Sequence, residues 1–117
     1  MKTVLVADDE PALREVVSEV LREEGYGVLQ ARNGREAVDL FALVRPDLVL
    51  MDVMMPVMDG RMAYLAMRSH ADLASIPVIM MSASVSPDRL DPSIAAYLPK
   101  PFDIDHLLAL IARFIRA

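Results

Sequence analysis

Apolar residues along this chain fall into short uninterrupted runs and longer stretches broken at helical spacing, and the two kinds alternate. Thr3 to Ala7 is the first short run, and it stops at Asp8, Asp9 and Glu10. Pro11 fits a first helical turn, and Leu13, Val16, Val17, Val20 and Leu21 recur every three or four residues until Gly25, which predicts a strand and then a helix. Val28 to Ala31 reads as a weaker strand. Asn33 followed by Glu36 is a capping pattern for a second helix carrying Ala37, Leu40, Phe41 and Val44. Leu48, Val49, Leu50 and Met51, opened by Pro46 and Asp47, form an unbroken run ending in Asp52, as expected of a central strand covered on both faces.

After Pro56 and Asp59-Gly60, a third helix is predicted through Ser69, with Met62, Leu65 and Ala66 at helical spacing. Pro77 to Met81 is a fourth strand ending at Ser82. Ser86-Pro87 can open a helix that Asp91-Pro92 interrupts, so a short or broken fourth helix is expected. Ala95 to Leu98 is a fifth strand, which Pro99 demotes to a sheet edge. Asp103 caps a last helix with Ile104, Leu107, Leu108, Ile111 and Ile115 on one face, and Arg113 and Arg116 near its end.

Five strands alternating with helical segments define an α/β class: a doubly wound, five-stranded parallel sheet. The 117 residues are read as a single domain, 1–117, without room for a separate output module. Although 55% of residues are hydrophobic, no run approaches the roughly eighteen needed to span a membrane. The N-terminus is too short in apolar residues for a signal peptide, and the absence of cysteine makes a cytoplasmic location the default. A net charge of −5 without a Lys/Arg cluster argues against direct binding to nucleic acid.

The polar residues at the strand C-termini are Asp8 and Asp9, Asp52, Ser82 and Lys100, and the topology brings all five to one edge. Singly, each reads as a cap, a turn residue or a surface charge. Together, three close carboxylates repel by a few kcal/mol per pair at an effective dielectric near 20. A hard divalent cation such as Mg²⁺ offsets that repulsion and retains much of its water. A metal-bound carboxylate with a lysine and a hydroxyl beside it is also what phosphoryl transfer to an aspartate requires.

Four blocks, VLVADDE at 4–10, PDLVLMDVMMPVMDG at 46–60, VIMMSA at 78–83 and YLPKPF at 97–102, resemble the response-regulator receiver domain of two-component signalling. The resemblance spans the chain and implies the flavodoxin-like receiver fold with strand order 2-1-3-4-5, an order that receivers of the chemotaxis type exemplify. It implies that Asp52 is the phosphoacceptor. Asp9 would be a direct metal ligand, Asp8 would act largely through water, and the Met54 backbone carbonyl would complete the protein's ligands to Mg²⁺ or Mn²⁺. Lys100 would contact the phosphoryl group, the Lys100-Pro101 bond would be cis as receivers usually have it, and Gly60 matches the glycine of the loop after the acceptor. Ser82 and Tyr97 match the switch pair, Ser82 binding a phosphoryl oxygen and Tyr97 rotating into the space so opened. Met54 and Ser84, each two residues past a site residue, would tune the phosphate's lifetime. The implied partners are a sensor histidine kinase or histidine phosphotransfer protein and a downstream protein target.

The chain departs from the family between Ser82 and Lys100, which lie several residues closer than usual, and Ile94-Ala95-Ala96 replaces the Gly-Ala that often precedes the fifth strand. Receivers commonly dimerise through that region, so a monomer or weak dimer is expected. Leu110 and Phe114 widen the last helix's apolar stripe, as a partner surface or as packing under a shortened fourth helix. His70 and His106 are read as solvated, and the nine methionines mostly as core filler. A phosphate-independent interaction module is the alternative reading, although such modules typically lose an acid or the lysine. The Asp-x-Asp of aspartate-nucleophile phosphatases and the Ser/Thr/Gly-rich loop of flavin carriers are both missing after the first strand.

Overall fold

A computed structural model describes residues 1–70 and 74–115. Five strands, β1 (Thr3–Ala7), β2 (Gly27–Ala31), β3 (Leu48–Asp52), β4 (Val78–Ser82) and β5 (Ala96–Pro99), form one sheet in the order β2-β1-β3-β4-β5. Every pairing is parallel. The helices are α1 (Pro11–Glu23), α2 (Gly34–Val44), α3 (Gly60–Arg68) and α4 (Ile104–Phe114). The expected short or broken fourth helical segment is a single 3₁₀ turn, Pro87–Arg89, in the β4–β5 connection. Arg116 lies outside the described residues.

Burial follows the sheet order. All five residues of the central strands β3 and β4 are buried, whereas the edge strands β2 and β5 are mostly half-buried. Alternate side chains of the inner strands feed two separate cores. Leu5, Val49, Met51 and Met80 pack under α2 and α3 with Phe41, Tyr64 and Met67. Val4, Val6, Leu48, Leu50, Ile79 and Met81 pack under α1 and α4 with Val17, Leu21, Leu107 and Ile111. Leu110 and Phe114 are half-buried against this second core, so they extend α4's own packing instead of lying beneath the shortened fourth segment.

Capping side chains begin three helices. Asn33, Asp59 and Asp103 accept the amides of Glu36, Met62 and His106, satisfying donors that a helix start leaves unpaired. The cap at Asp59 sets the phase of α3, which differs from the expected one: Ala63, Tyr64 and Met67 face the core, while Met62 and Leu65 are 57% and 62% exposed. His70, expected to be solvated, is half-buried with its ring 6.5 Å from that of Phe41.

Glycine is needed where two connections pass close together. A Cβ on Gly60 would stand 2.4 Å from the Asp52 carbonyl oxygen, and one on Gly34 would stand 2.2 Å from that of Met58. The Gly60 amide instead bonds the Val53 carbonyl at 2.8 Å, seating the start of α3 on the end of β3.

Candidate functional site

The C-terminal ends of β1, β3, β4 and β5 carry Asp8, Asp52, Ser82 and Lys100 to one edge. Asp8, Asp52 and Ser82 are buried, at 1%, 6% and 1% exposure, while Asp9 beside them is exposed. Asp8, Asp9 and Asp52 each offer a carboxylate oxygen within 4.8 Å of the others. Lys100 Nζ reaches into this group, 2.8 Å from Asp8 Oδ2, 3.5 Å from Asp52 Oδ1 and 3.8 Å from Glu10 Oε1. The other oxygen of Asp8 accepts the Glu10 amide at 2.9 Å. The five residues singled out at the strand ends therefore share one edge. A shallow cleft of about 210 Å³, lined by Asp9, Asp52, Met54, Ser84 and Lys100, opens above them.

One lysine does not balance these acids. Burial pushes the Asp52 carboxyl up to about 6; the Lys100 charge opposes this, and the charge of Asp8 adds to it. Burial also penalises the Lys100 ammonium, but its hydrogen bond to Asp8 and the charges of Asp8, Asp52 and Glu10 outweigh that penalty, so its pKa is raised. A buried acid site with surplus negative charge and oxygen-only donors fits a hard divalent cation of the Mg²⁺ or Mn²⁺ kind.

Arg14 belongs to this neighbourhood and was not found from the sequence. Its Nη1 donates to the Asp8 carbonyl at 2.7 Å and its Nε to Gln30 Oε1 at 3.0 Å, fastening α1 to the end of β1. The available signal was a cation in a helix's first turn, where the dipole disfavours it unless another acceptor holds it.

The β4 end is bound up in its own turn. Ser82 Oγ accepts the amides of Ser84 and Val85 at 3.1 and 2.8 Å. The Tyr97 hydroxyl donates to the Val85 carbonyl at 2.8 Å and lies 3.3 Å from that of Ser82, so its ring is already turned toward this loop. The Lys100-Pro101 peptide is cis. Met54 is 55% exposed at the cleft, and Val57 beyond it is 82% exposed with φ at 69°.

Fold and site together define a flavodoxin-like α/β domain whose acidic, lysine-containing pocket sits at the C-terminal edge of the sheet. The chain belongs to the response regulator receiver domain family, whose model matches residues 4–112. It is 41% identical to the response regulator MprA of Mycolicibacterium vanbaalenii over 117 residues, covering 97% of this chain and 50% of that protein. It is 38% identical to the regulatory protein AtoC of Escherichia coli, of which it covers 25%. The chain thus spans half or less of the length of these relatives.

Among solved structures it resembles the chemotaxis protein CheY4 of Vibrio cholerae, with TM-score 0.89 and 32% identity over 98% of this chain and 99% of that one. It also resembles TrrA of Thermotoga maritima in complex with Mg²⁺-BeF, with TM-score 0.86 and 35% identity over 98% and 100% of the two chains. The receiver domain of a Pseudomonas aeruginosa sensor histidine kinase, with a magnesium ion coordinated in its active site cleft, matches with TM-score 0.89 and 30% identity over 99% and 98%. Receiver domains of this family serve phosphorylation-dependent two-component signalling, as signalling modules and not as conventional enzymes. No helix among the described residues is long and apolar enough to cross a membrane.

Proposed function

We propose that the chain is a phosphorylation-controlled switch in which Asp52 accepts a phosphoryl group from a histidine on a sensor kinase or phosphotransfer protein. The observation that carries this reading is the convergence of three carboxylates within 4.8 Å of one another on a lysine 3.5 Å from Asp52. In the transfer an Asp52 oxygen forms the new O–P bond while the donor's N–P bond breaks and its electron pair leaves with the imidazole nitrogen. Asp8, Asp9, Asp52 and the Met54 carbonyl would hold Mg²⁺ or Mn²⁺, which when bound supplies charge neutralisation at the phosphoryl oxygens. Lys100 is within reach to add a second positive charge there.

The new group brings roughly −1.5 to −2 charge and three acceptor oxygens. Ser82, whose hydroxyl accepts two amides and keeps one proton to give, donates to one of those oxygens and draws Ser84 and Val85 with it. Tyr97 follows through its bond to the Val85 carbonyl. Met54 and Ser84 border the cleft through which water reaches phosphorus, and an apolar Met54 slows that approach. Replacing Met54 by Asn should shorten the phosphate's lifetime; an unchanged lifetime would remove that role. Partners are the phosphodonor protein and a downstream target, and the chain acts as a monomer or weak dimer.

The test is intact mass after incubation with acetyl phosphate and Mg²⁺. The wild type should gain one phosphoryl group only with the metal, and Asp52→Asn should gain none. Equal labelling of the mutant would overturn the assignment of Asp52.

A further inference from the structure

The connection from β4 to β5 crosses α3 as a strap held at two points. At its start Ser82 and Tyr97 grip the backbone at Ser84 and Val85, as described above. Near its end Asp91 takes Arg68 Nη1 of α3 on one oxygen at 2.5 Å, and the amide and hydroxyl of Ser93 on the other at 2.9 and 2.7 Å. Ser93 Oγ lies 2.8 Å from the Tyr64 hydroxyl of the same helix. Because the single Ser93 proton goes to Asp91, Tyr64 is the donor in that contact.

Between the two points the strap is stiff and short. Pro87 opens the 3₁₀ turn, and the amides of Arg89 and Leu90 bond the carbonyls of Ser86 and Pro87 at 3.0 and 3.1 Å. An exposed ion pair such as Arg68–Asp91 contributes little alone. Here it is one of several bonds on two strap residues, and Leu90 and Ile94 add apolar contact with the core containing Tyr64 and Met80. Between the strap and α3 lies a solvent-open pocket of about 150 Å³ lined by Tyr64, Leu65, Met80, Leu90 and Ile94. A close-packed contact would resist displacement, whereas this one leaves room for Leu90 to move.

We propose that the strap links the Ser82–Val85 loop to the C-terminal half of α3, so that the position of α3 reports whether Asp52 carries a phosphoryl group. The link rests on the switch reading above. When Ser82 turns toward the phosphoryl oxygen, Val85 shifts, the 3₁₀ turn carries the shift to Asp91 and Ser93, and these draw Arg68 and Tyr64 with them. Helix α4 packs on the opposite face of the sheet, in the other core. The coupling is reciprocal: a staple that holds the loop at rest opposes phosphoryl binding, and cutting it favours that binding.

Amide NMR of the full chain, titrated with beryllofluoride in the presence of Mg²⁺, tests this on the wild type, Asp91→Ala and Tyr64→Phe. The wild type should respond at Ser82–Val85 and at Tyr64–Arg68. Asp91→Ala should keep the first response, lose the second and bind beryllofluoride about fivefold more tightly, a typical size for coupling between sites. Tyr64→Phe, which removes only a hydroxyl, should weaken the α3 response if Asp91→Ala does not fold. A full α3 response in both variants with unchanged affinity overturns the link. Wild type that responds at Ser82–Val85 with a silent α3 overturns the link alone, and wild type that responds nowhere overturns the switch reading along with it.

Discussion

The two faces of the sheet are buried in different ways. One is roofed by α1 and α4, helices of 13 and 11 residues whose apolar stripes meet Leu48, Leu50, Ile79 and Met81. The other is roofed by α2, by the shorter α3 of nine residues, and by a strap whose only regular structure is one 3₁₀ turn. On the first face hydrophobic burial holds most of the cover down, and Arg14 fastens α1 at the strand end through Asp8 and Gln30. On the second, hydrogen bonds and an ion pair replace what a full helix would have supplied, and an open pocket remains between strap and α3. The comparison teaches that the strand-end residues of the site depend on the sheet, which both faces secure, while the less regular cover lies on one side.

Core truncations give the largest expected effects. Phe41→Ala on the strap face and Leu107→Ala on the helical face both remove fully buried side chains, and each should cost about 3–4 kcal/mol in denaturant unfolding. Leu90→Ala, in the strap itself, should cost roughly 2 kcal/mol or less, because it borders an open pocket already and its surroundings can relax. A cost for Leu90→Ala equal to that for Leu107→Ala would erase the contrast between the faces.

The site gives an effect of intermediate size and opposite sign. Asp52 binds its proton more tightly folded than unfolded, since its pKa rises from 3.8 to about 6 through burial. The stability this contributes is complete below about pH 4 and lost as pH rises through 6. Without divalent metal, Asp52→Asn should therefore be more stable than wild type by roughly 2 kcal/mol at pH 7 and nearly equal to it at pH 4. Thermal melts in EDTA at the two pH values check this, and adding Mg²⁺ at pH 7 should narrow the gap by stabilising the wild type.

The smallest effect lies at the rim. Val57 holds a left-handed φ of 69° that a β-branched residue rarely adopts, and it is 82% exposed. Val57→Gly should relieve that strain and stabilise the fold by about 1 kcal/mol. A loss of stability would mean that the Val57 side chain makes contacts that outweigh its backbone cost.

Much of this was legible in the sequence because local and global signals agree there. The run ending in Asp52 reads as a central strand and is one, and the Asn33 and Asp103 caps fall where their patterns put them. The Asp91-Pro92 break left only one short turn in the β4–β5 connection. Other features depended on tertiary geometry. Met62 and Leu65 outrank Tyr64 in apolar character, yet the cap at Asp59 turns Tyr64 inward, where its hydroxyl finds Ser93. Ser18 is fully buried beside Val17 and Leu21, its hydroxyl satisfied by the Arg14 carbonyl within the helix, which the apolar period did not announce. The bonds of Arg14 to Asp8 and Gln30 join three elements and exist only once those elements have met.

The close approach of Gly60 to the Asp52 carbonyl bears on how the protein could be engineered as a sensor. A single methyl group there would collide with the main chain of Asp52, so helix and strand end are joined with no slack, and a reporter inserted between them would dismantle both. The exposed tip of the strap, Ser86 to Arg89, is the place for a side-chain-attached fluorophore, and it lies on the path proposed to move.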